Sequence, residues 1–175
     1  MSGHNKWSKI KRQKEKTDAQ KSKIFGKLLR SISVEARKSG GNLSAPNLRT
    51  AIEKAKSANV PNDNIDRAVK KANESDDEME SITYEAYGPG GTAIIIEALT
   101  SNRNKAAQEI KHILSNHTLS LAQMGSATWA FEKTNEGWVP KTTAPISEND
   151  GEKLSLLIDE LEENDEVQDV FTNAE

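Results

Sequence analysis

The chain has 175 residues, with 24 Lys+Arg, 27 Asp+Glu, three His and no Cys; 34% of it is hydrophobic and 29% charged. Without cysteine there is no disulfide framework, thiolate metal site or thiol nucleophile, and the longest apolar run, Ala93-Ile94-Ile95-Ile96, is far short of the ~20 residues that cross a bilayer. No apolar signal-peptide core opens the sequence, so the expectation is a soluble protein of one ordinary domain or two small ones, with a small or divided core.

The net charge of −3 conceals a division. Residues 1–71 hold 18 Lys+Arg against six acids, a net of +12, and the remainder holds the other 6 bases with 21 acids, a net of −15. Such a chain behaves as two electrostatic bodies, and the basic one seeks a polyanion rather than serving as a merely solvated face.

In chain order, residues 1–17 form a Lys-rich arm with Trp7 and Ile10 as its only large apolar residues, too little to bury, so it is expected to stay loosely ordered until something holds it. Ile24, Phe25, Leu28, Leu29, Ile32 and Ala36 then recur at three- and four-residue steps. This predicts an amphipathic helix over 18–38, capped by Thr17 or Asp18 and ended by Gly40-Gly41. Pro46 suits the first turn of a second helix carrying Leu48, Ile52 and Ala55, and Pro61 opens a third with Ile65, Ala68 and Val69. Residues 18–72 therefore read as a three-helix bundle. An acidic linker, 73–81, marks the domain boundary, and 82–175 is read as an α+β domain. It contains strands at 83–87 and 92–99 around the Gly88-Pro89-Gly90-Gly91 turn, and a helix at 103–115 capped by Asn102. A strand at 127–132, a helix at 152–162 and a strand at 167–172 follow, with two helices on one face of a mainly antiparallel sheet.

The strongest chemical signal is the density of cations at Lys6, Lys9, Lys11, Arg12, Lys14, Lys16, Lys21, Lys23, Lys27 and Arg30, which can replace counterions along a phosphate chain. Lys23, Lys27 and Arg30 share one helix face, away from Leu28 and Ile32. Trp7, set among lysines, either stacks on a splayed base or anchors the arm. Arg103, at a helix start beside Asn102 and Asn104, either holds an anion or is a surface arginine next to a cap. The glycine turn lacks the spacing and following helix of a phosphate loop and is better explained by a hairpin needing positive φ. His112 and His117, five residues apart, do not make the i,i+4 pair of a zinc helix. The stretch 159–169 lacks the oxygen spacing of a calcium loop and reads as a solvated helix end. No nucleophile elbow or other catalytic motif is assembled, so the chain reads as non-enzymatic, with no cofactor, metal or small-molecule substrate.

The opening Gly3-His4-Asn5-Lys6-Trp7-Ser8-Lys9-Ile10-Lys11 resembles the N-terminal signature of the YebC/PmpR family. Further matches follow in order: Lys23-Ile24-Phe25, Pro46-Asn47-Leu48-Arg49, Ala58-Asn59-Val60-Pro61, Tyr84-Glu85, Tyr87-Gly88-Pro89-Gly90-Gly91, Asn102-Arg103-Asn104, Gly125-Ser126, Pro140-Lys141-Thr142-Thr143 and Val167-Gln168-Asp169-Val170. Three departures stand out. Residues 132–137 bridge directly where a typical member carries a further small lobe. Thr118-Leu119-Ser120-Leu121-Ala122 replaces a glycine-rich stretch, and Ser101 stands where an Asp usually precedes Asn102.

The resemblance implies a regulator of gene expression, with two targets open. One is rRNA or tRNA on the ribosome, bound by a translation activator that relieves stalling; the other is duplex DNA, bound by a transcription regulator. A Lys-rich arm with one tryptophan favours RNA. A third reading, from another class, is a protein–protein adaptor working through the acidic lobe. The expected compartment is the cytoplasm, or the mitochondrial matrix if a targeting peptide has been removed, with no membrane partner.

Overall fold

The computed structural model describes residues 17–74, 78–135 and 137–175. They fall into two compact units that divide between Met79 and Glu80.

The first unit is helical. Helix α1, Asp18–Lys38, begins with a capping box: the Thr17 hydroxyl accepts from the Gln20 amide at 3.3 Å, and the Gln20 side chain accepts from the Thr17 amide at 2.9 Å. It ends in a Schellman motif. Gly40 takes φ +62, its amide donates to Arg37, and the Gly41 amide reaches back to the Ala36 carbonyl at 2.8 Å. Helix α2, Pro46–Ser57, has proline in its first turn, where the missing N–H costs nothing. It closes with the same motif, but Asn59 at φ +63 takes the place of glycine, and the Val60 amide bonds to the Ala55 carbonyl at 3.0 Å. Helix α3, Asn62–Lys71, follows Pro61. The core is Ile32, Ala36, Leu48, Ala51, Ala55, Val60, Ile65 and Ala72. Its many alanines let the helices approach closely, which is how so small a core closes.

The second unit is built on a three-stranded antiparallel sheet in the order β1 (Glu80–Tyr87), β2 (Ala93–Thr100), β5 (Val167–Thr172). Ile94, Ile96 and Ala98 face α4 (Arg103–Asn116) and α5 (Glu148–Glu163), whose Ile110, Leu114, Leu154, Leu157 and Leu161 complete the main core. Ala93 and Ile95 point the other way, onto Ala127, Ala130 and Phe131, with Trp138 and Phe171 packed against them. Burial on both faces is why β2 reads as an unbroken apolar run instead of an alternating one.

Four expectations need correction. Residues 127–130 do not begin a strand: Thr128–Ala130 is a single 3₁₀ turn, and β3 starts at Phe131 (Phe131–Thr134). It pairs with a strand the sequence reading omitted, β4 (Gly137–Pro140), and this hairpin covers the second sheet face. Trp138 holds it there through an indole N–H donated to Glu97 at 2.8 Å, while Lys133 lies over the same ring. Helix α5 starts four residues earlier than expected because Ser147 caps it, accepting from the Asp150 amide at 3.1 Å. The stretch 159–169 is more than a solvated end. Leu161 and Val167 are buried, and buried Glu166 accepts from Lys105 at 3.1 Å, an interaction that raises the lysine's pKa.

Near the C-terminus, buried Asn173 accepts from the Ala93 amide at 2.8 Å and donates to the Thr142 carbonyl at 3.0 Å, tying β2, β5 and the segment before α5 together. Among the described residues no helix is long and apolar enough to cross a membrane.

Helix α4 ends with a third Schellman motif, and here Thr118 adopts φ +59 while the Leu119 amide bonds to the Leu114 carbonyl at 2.8 Å. A β-branched residue is strained in this region. Thr118→Gly is expected to stabilise the protein by about 1 kcal/mol, the relieved strain exceeding the added chain entropy; urea unfolding of both forms measures it.

Candidate nucleic-acid interface

Of the cations proposed from the sequence, Lys6, Lys9, Lys11, Arg12, Lys14 and Lys16 lie outside the described residues, as does Trp7. Lys21, Lys23, Lys27 and Arg30 all stand on α1. At 3.6 residues per turn, Lys23, Lys27 and Arg30 occupy an arc of about 60° opposite the Ile32 line. Lys21 falls on the core side of the helix, in its exposed first turn.

The stripe continues beyond the sequence reading. Arg37 repeats Arg30 after seven residues, and Lys38 flanks it while pairing with Glu35 at 3.0 Å. The same spacing, carried two turns further, identifies both. Arg30, Ser33, Arg37 and Lys38 border a cleft of about 560 Å³ that Leu29, Val34, Met79 and the acidic Glu78 also line. The cations and apolar side chains suit a phosphate chain carrying flat bases, while the Glu78 carboxylate opposes one.

Arg103 belongs to the other unit. It is the first residue of α4, beside the Asn102 cap that accepts from the Lys105 amide at 3.0 Å. Its guanidinium grips Glu80 with two bonds, Nε to Oε1 at 3.2 Å and Nη2 to Oε2 at 2.8 Å. This pairing holds the Glu80 carboxyl below its usual range and raises the arginine. An anion bound there would first have to displace Glu80.

The glycine turn is a hairpin corner. Gly90 and Gly91 take φ +71 and +74, and β2 follows directly. A Cβ at Gly88 would lie 2.7 Å from Ile94, so close packing also requires glycine there. His117 Nε2 lies 2.6 Å from Glu160, linking the end of α4 to α5; this hydrogen bond lowers the glutamate's pKa. Among the described residues no group of three or more His, Cys, Asp and Glu could hold a metal ion.

A residue that the sequence reading did not single out organises the acidic unit. Glu85, 4% exposed, accepts backbone N–H bonds from Gly125 at 2.6 Å, Ala127 at 2.7 Å and Thr128 at 2.9 Å. Its own carbonyl accepts from the Ala122 amide at 2.8 Å. The loop so fixed presents Ser126, whose carbonyl accepts from the Tyr87 hydroxyl, and Trp129, whose indole donates to that hydroxyl at 3.0 Å. The sequence holds only an indirect sign: Glu85 is the lone charge between Ser81 and Ile96, an unusual place for a solvated acid.

Comparisons with known proteins cover both units. The family model described as TACO1/YebC protein N-terminal domain matches residues 5–75, and that described as TACO1/YebC second and third domain matches 79–137 and 133–174. A "Probable transcriptional regulatory protein" of Fervidobacterium nodosum is 38% identical over 235 aligned positions, covering 99% of this chain and 93% of the relative. One of the same description from Petrotoga mobilis is 42% identical over 183 positions, covering 100% and 71%. The crystal structure of a conserved hypothetical protein from Aquifex aeolicus superposes with a TM-score of 0.83 at 31% identity, over 97% of this chain and 96% of that one.

Two measurements test the geometry of the acidic unit. Glu85→Gln points a donor at the loop amides in place of an acceptor. It is expected to cost about 2–3 kcal/mol and to speed hydrogen exchange at Gly125, Ala127 and Thr128; unchanged exchange would refute the anchoring role. Because Glu80 is depressed in the folded state, its ion pair contributes above the ordinary carboxylate pKa and is lost as pH falls through the lowered value. Carbon-detected NMR titration should find Glu80 below the usual range in the wild type and returned to it in Arg103→Ala.

Proposed function

The chain belongs to the TACO1/YebC family, and on that premise we propose that it is a non-enzymatic, nucleic-acid-binding regulator of gene expression that docks on RNA of the ribosome and assists translation there. The observation that carries this reading is the cation stripe Lys23, Lys27, Arg30 and Arg37 on α1, whose last two members line the cleft of about 560 Å³. Residues 17–74 hold 12 bases against six acids, a net of +6, so the whole helical unit offers a favourable field to phosphate. The N-terminal arm, with Lys6, Lys9, Lys11, Arg12, Lys14 and Lys16 around Trp7, adds phosphate contacts and one stacking ring. Arg103, paired with Glu80, belongs to the acidic unit and not to this stripe.

A duplex-DNA reader would normally present the N-terminal part of a helix to base edges. Helix α3, which follows α2 after a short turn, carries Asp63 and Asp66 there, and both repel phosphate. This favours recognition of backbone shape over base sequence, as suits folded RNA. The second reading, promoter binding by a transcription regulator, draws on the description borne by the relatives and on the exposed Asn47, Arg49, Asn62 and Arg67. Both readings are compatible with the cytoplasm and with the mitochondrial matrix. Because the two matched stretches meet at the β3–β4 hairpin, we also read that hairpin as a direct closure where other members carry an inserted lobe.

Sedimentation with purified ribosomes in the presence of excess duplex DNA tests the proposal. The wild type should pellet with ribosomes. A Lys23→Ala/Lys27→Ala/Arg30→Ala variant, with helix content verified by circular dichroism, should bind more weakly and lower the slope of log affinity against log salt by about 2–3. Removal by DNA would favour the transcription reading, and binding to neither polymer would overturn the nucleic-acid role.

A further inference from the structure

In a chain that is 29% charged, residues 112–131 contain no Asp, Glu, Lys or Arg, and neither do residues 86–96. The two segments meet at Tyr87, Ser126 and Trp129. Part of this uncharged surface is core, but its outer edge is not: Trp129 is 57% exposed, Tyr87 38%, and Met124, on the same loop, 95%. The indole N–H and the phenol satisfy each other and Ser126, so the polar atoms of the two aromatics are engaged while their rings face solvent. Buried Glu85 fixes the loop beneath them through three amides. A platform held this way loses little freedom when it is covered. Trp, Tyr and Met without Lys, Glu or Asp is also the composition of an interface centre.

The net charge of the unit that carries the platform narrows what covers it. Residues 80–175 carry 17 acids and six bases, a net of −11. Phosphate is repelled by such a body, and a second copy of the same lobe would bring like charge to like. A cationic polypeptide is attracted.

We propose that the Tyr87–Trp129 platform, with Met124, is a docking site for a basic protein segment: an aromatic or aliphatic anchor residue seated on the rings and flanked by Lys or Arg. The site goes beyond the nucleic-acid role and uses none of the α1 cations, so the two stand or fall separately.

The test uses the full chain and a fluorescein-labelled peptide, Lys-Arg-Lys-Leu-Phe-Lys-Arg-Lys, read by anisotropy at 50 and 300 mM salt. 5-Fluorotryptophan NMR follows Trp129, assigned through Trp129→Phe. The peptide is expected to bind, to shift the Trp129 resonance, and to weaken at the higher salt. Trp129→Ala should lose at least tenfold in affinity and Tyr87→Phe, which unseats the indole, several-fold, while both keep the wild-type slope of nucleic-acid binding against salt. An unchanged Trp138 resonance verifies that the variants are folded. The proposal is overturned if the peptide does not bind. It is equally overturned if a peptide with Ser-Ser in place of Leu-Phe, or with Glu in place of Lys and Arg, binds as well. Movement of the Trp129 resonance by a uridine 12-mer would assign the platform to RNA instead, and movement with protein concentration alone would assign it to self-association.

Discussion

A carboxylate taken out of water must find hydrogen bonds for its charge or destabilise the structure that buries it. Glu85 finds three, all from backbone amides between Gly125 and Thr128, and much of the acidic unit follows from that arrangement. The chain must return from the end of α4 across β1, where Ala86 and Leu121 form an isolated antiparallel bridge, before it can turn at Thr128–Ala130 into β3. Phe131 and Ala130 then reach the face of β2 opposite α4 and α5. One side chain thus couples the edge of the sheet, the covering of its second face and the seating of the exposed aromatics. Such bonds to a charged acceptor are stronger than neutral ones, so the loop is fixed without packing its outer surface.

What the sequence disclosed depended on how far apart the interacting residues lie. Thr17 with Gln20, and Asn102 with Lys105, are three residues apart, and the caps they form were readable as local patterns. Gly40-Gly41 ended α1 as the αL preference of glycine demands. The unbroken Ala93-Ile94-Ile95-Ile96 run pointed to a strand, and covering both its faces required the β3–β4 hairpin, whose strands are only four residues each and show no apolar alternation. Glu85 was missed for the same reason: its partners lie some 40 residues on and are backbone amides, which carry no sequence signature. Asn59 and Thr118 sit where glycine is the usual choice, so those helix ends follow from hydrogen-bond geometry and not from residue type. On the basic side, the helical period placed Lys23, Lys27 and Arg30 on one face, and the structure extended that face to Arg37.

The division of charge along the chain coincides with a division of construction. The helical unit closes a small alanine-rich core and carries half of its 12 bases on α1 and the rest on α2 and α3. The α+β unit closes a larger aliphatic core and surrounds it with acids. Where acids and bases meet within that unit, as in Arg103 with Glu80 and Lys105 with Glu166, they tie β1 and the start of β5 to the beginning of α4. Long-range fields of opposite sign on one polypeptide allow each unit to select a different class of surface.

The β3–β4 hairpin has a practical consequence. Thr134 and Gly137 are already partners across its tip, so two chain ends leave the fold side by side at a point held by Glu97, Lys133 and Trp138. A foreign sequence spliced between them would inherit closely spaced ends, and closing it would impose little extra loop entropy on the host. Gly137 sets the terms of such grafting: at φ +119, with Phe171 where a Cβ would point, it must be kept as the first residue after the insert. Fluorescent domains, affinity epitopes or whole binding modules could be carried there, leaving both termini free.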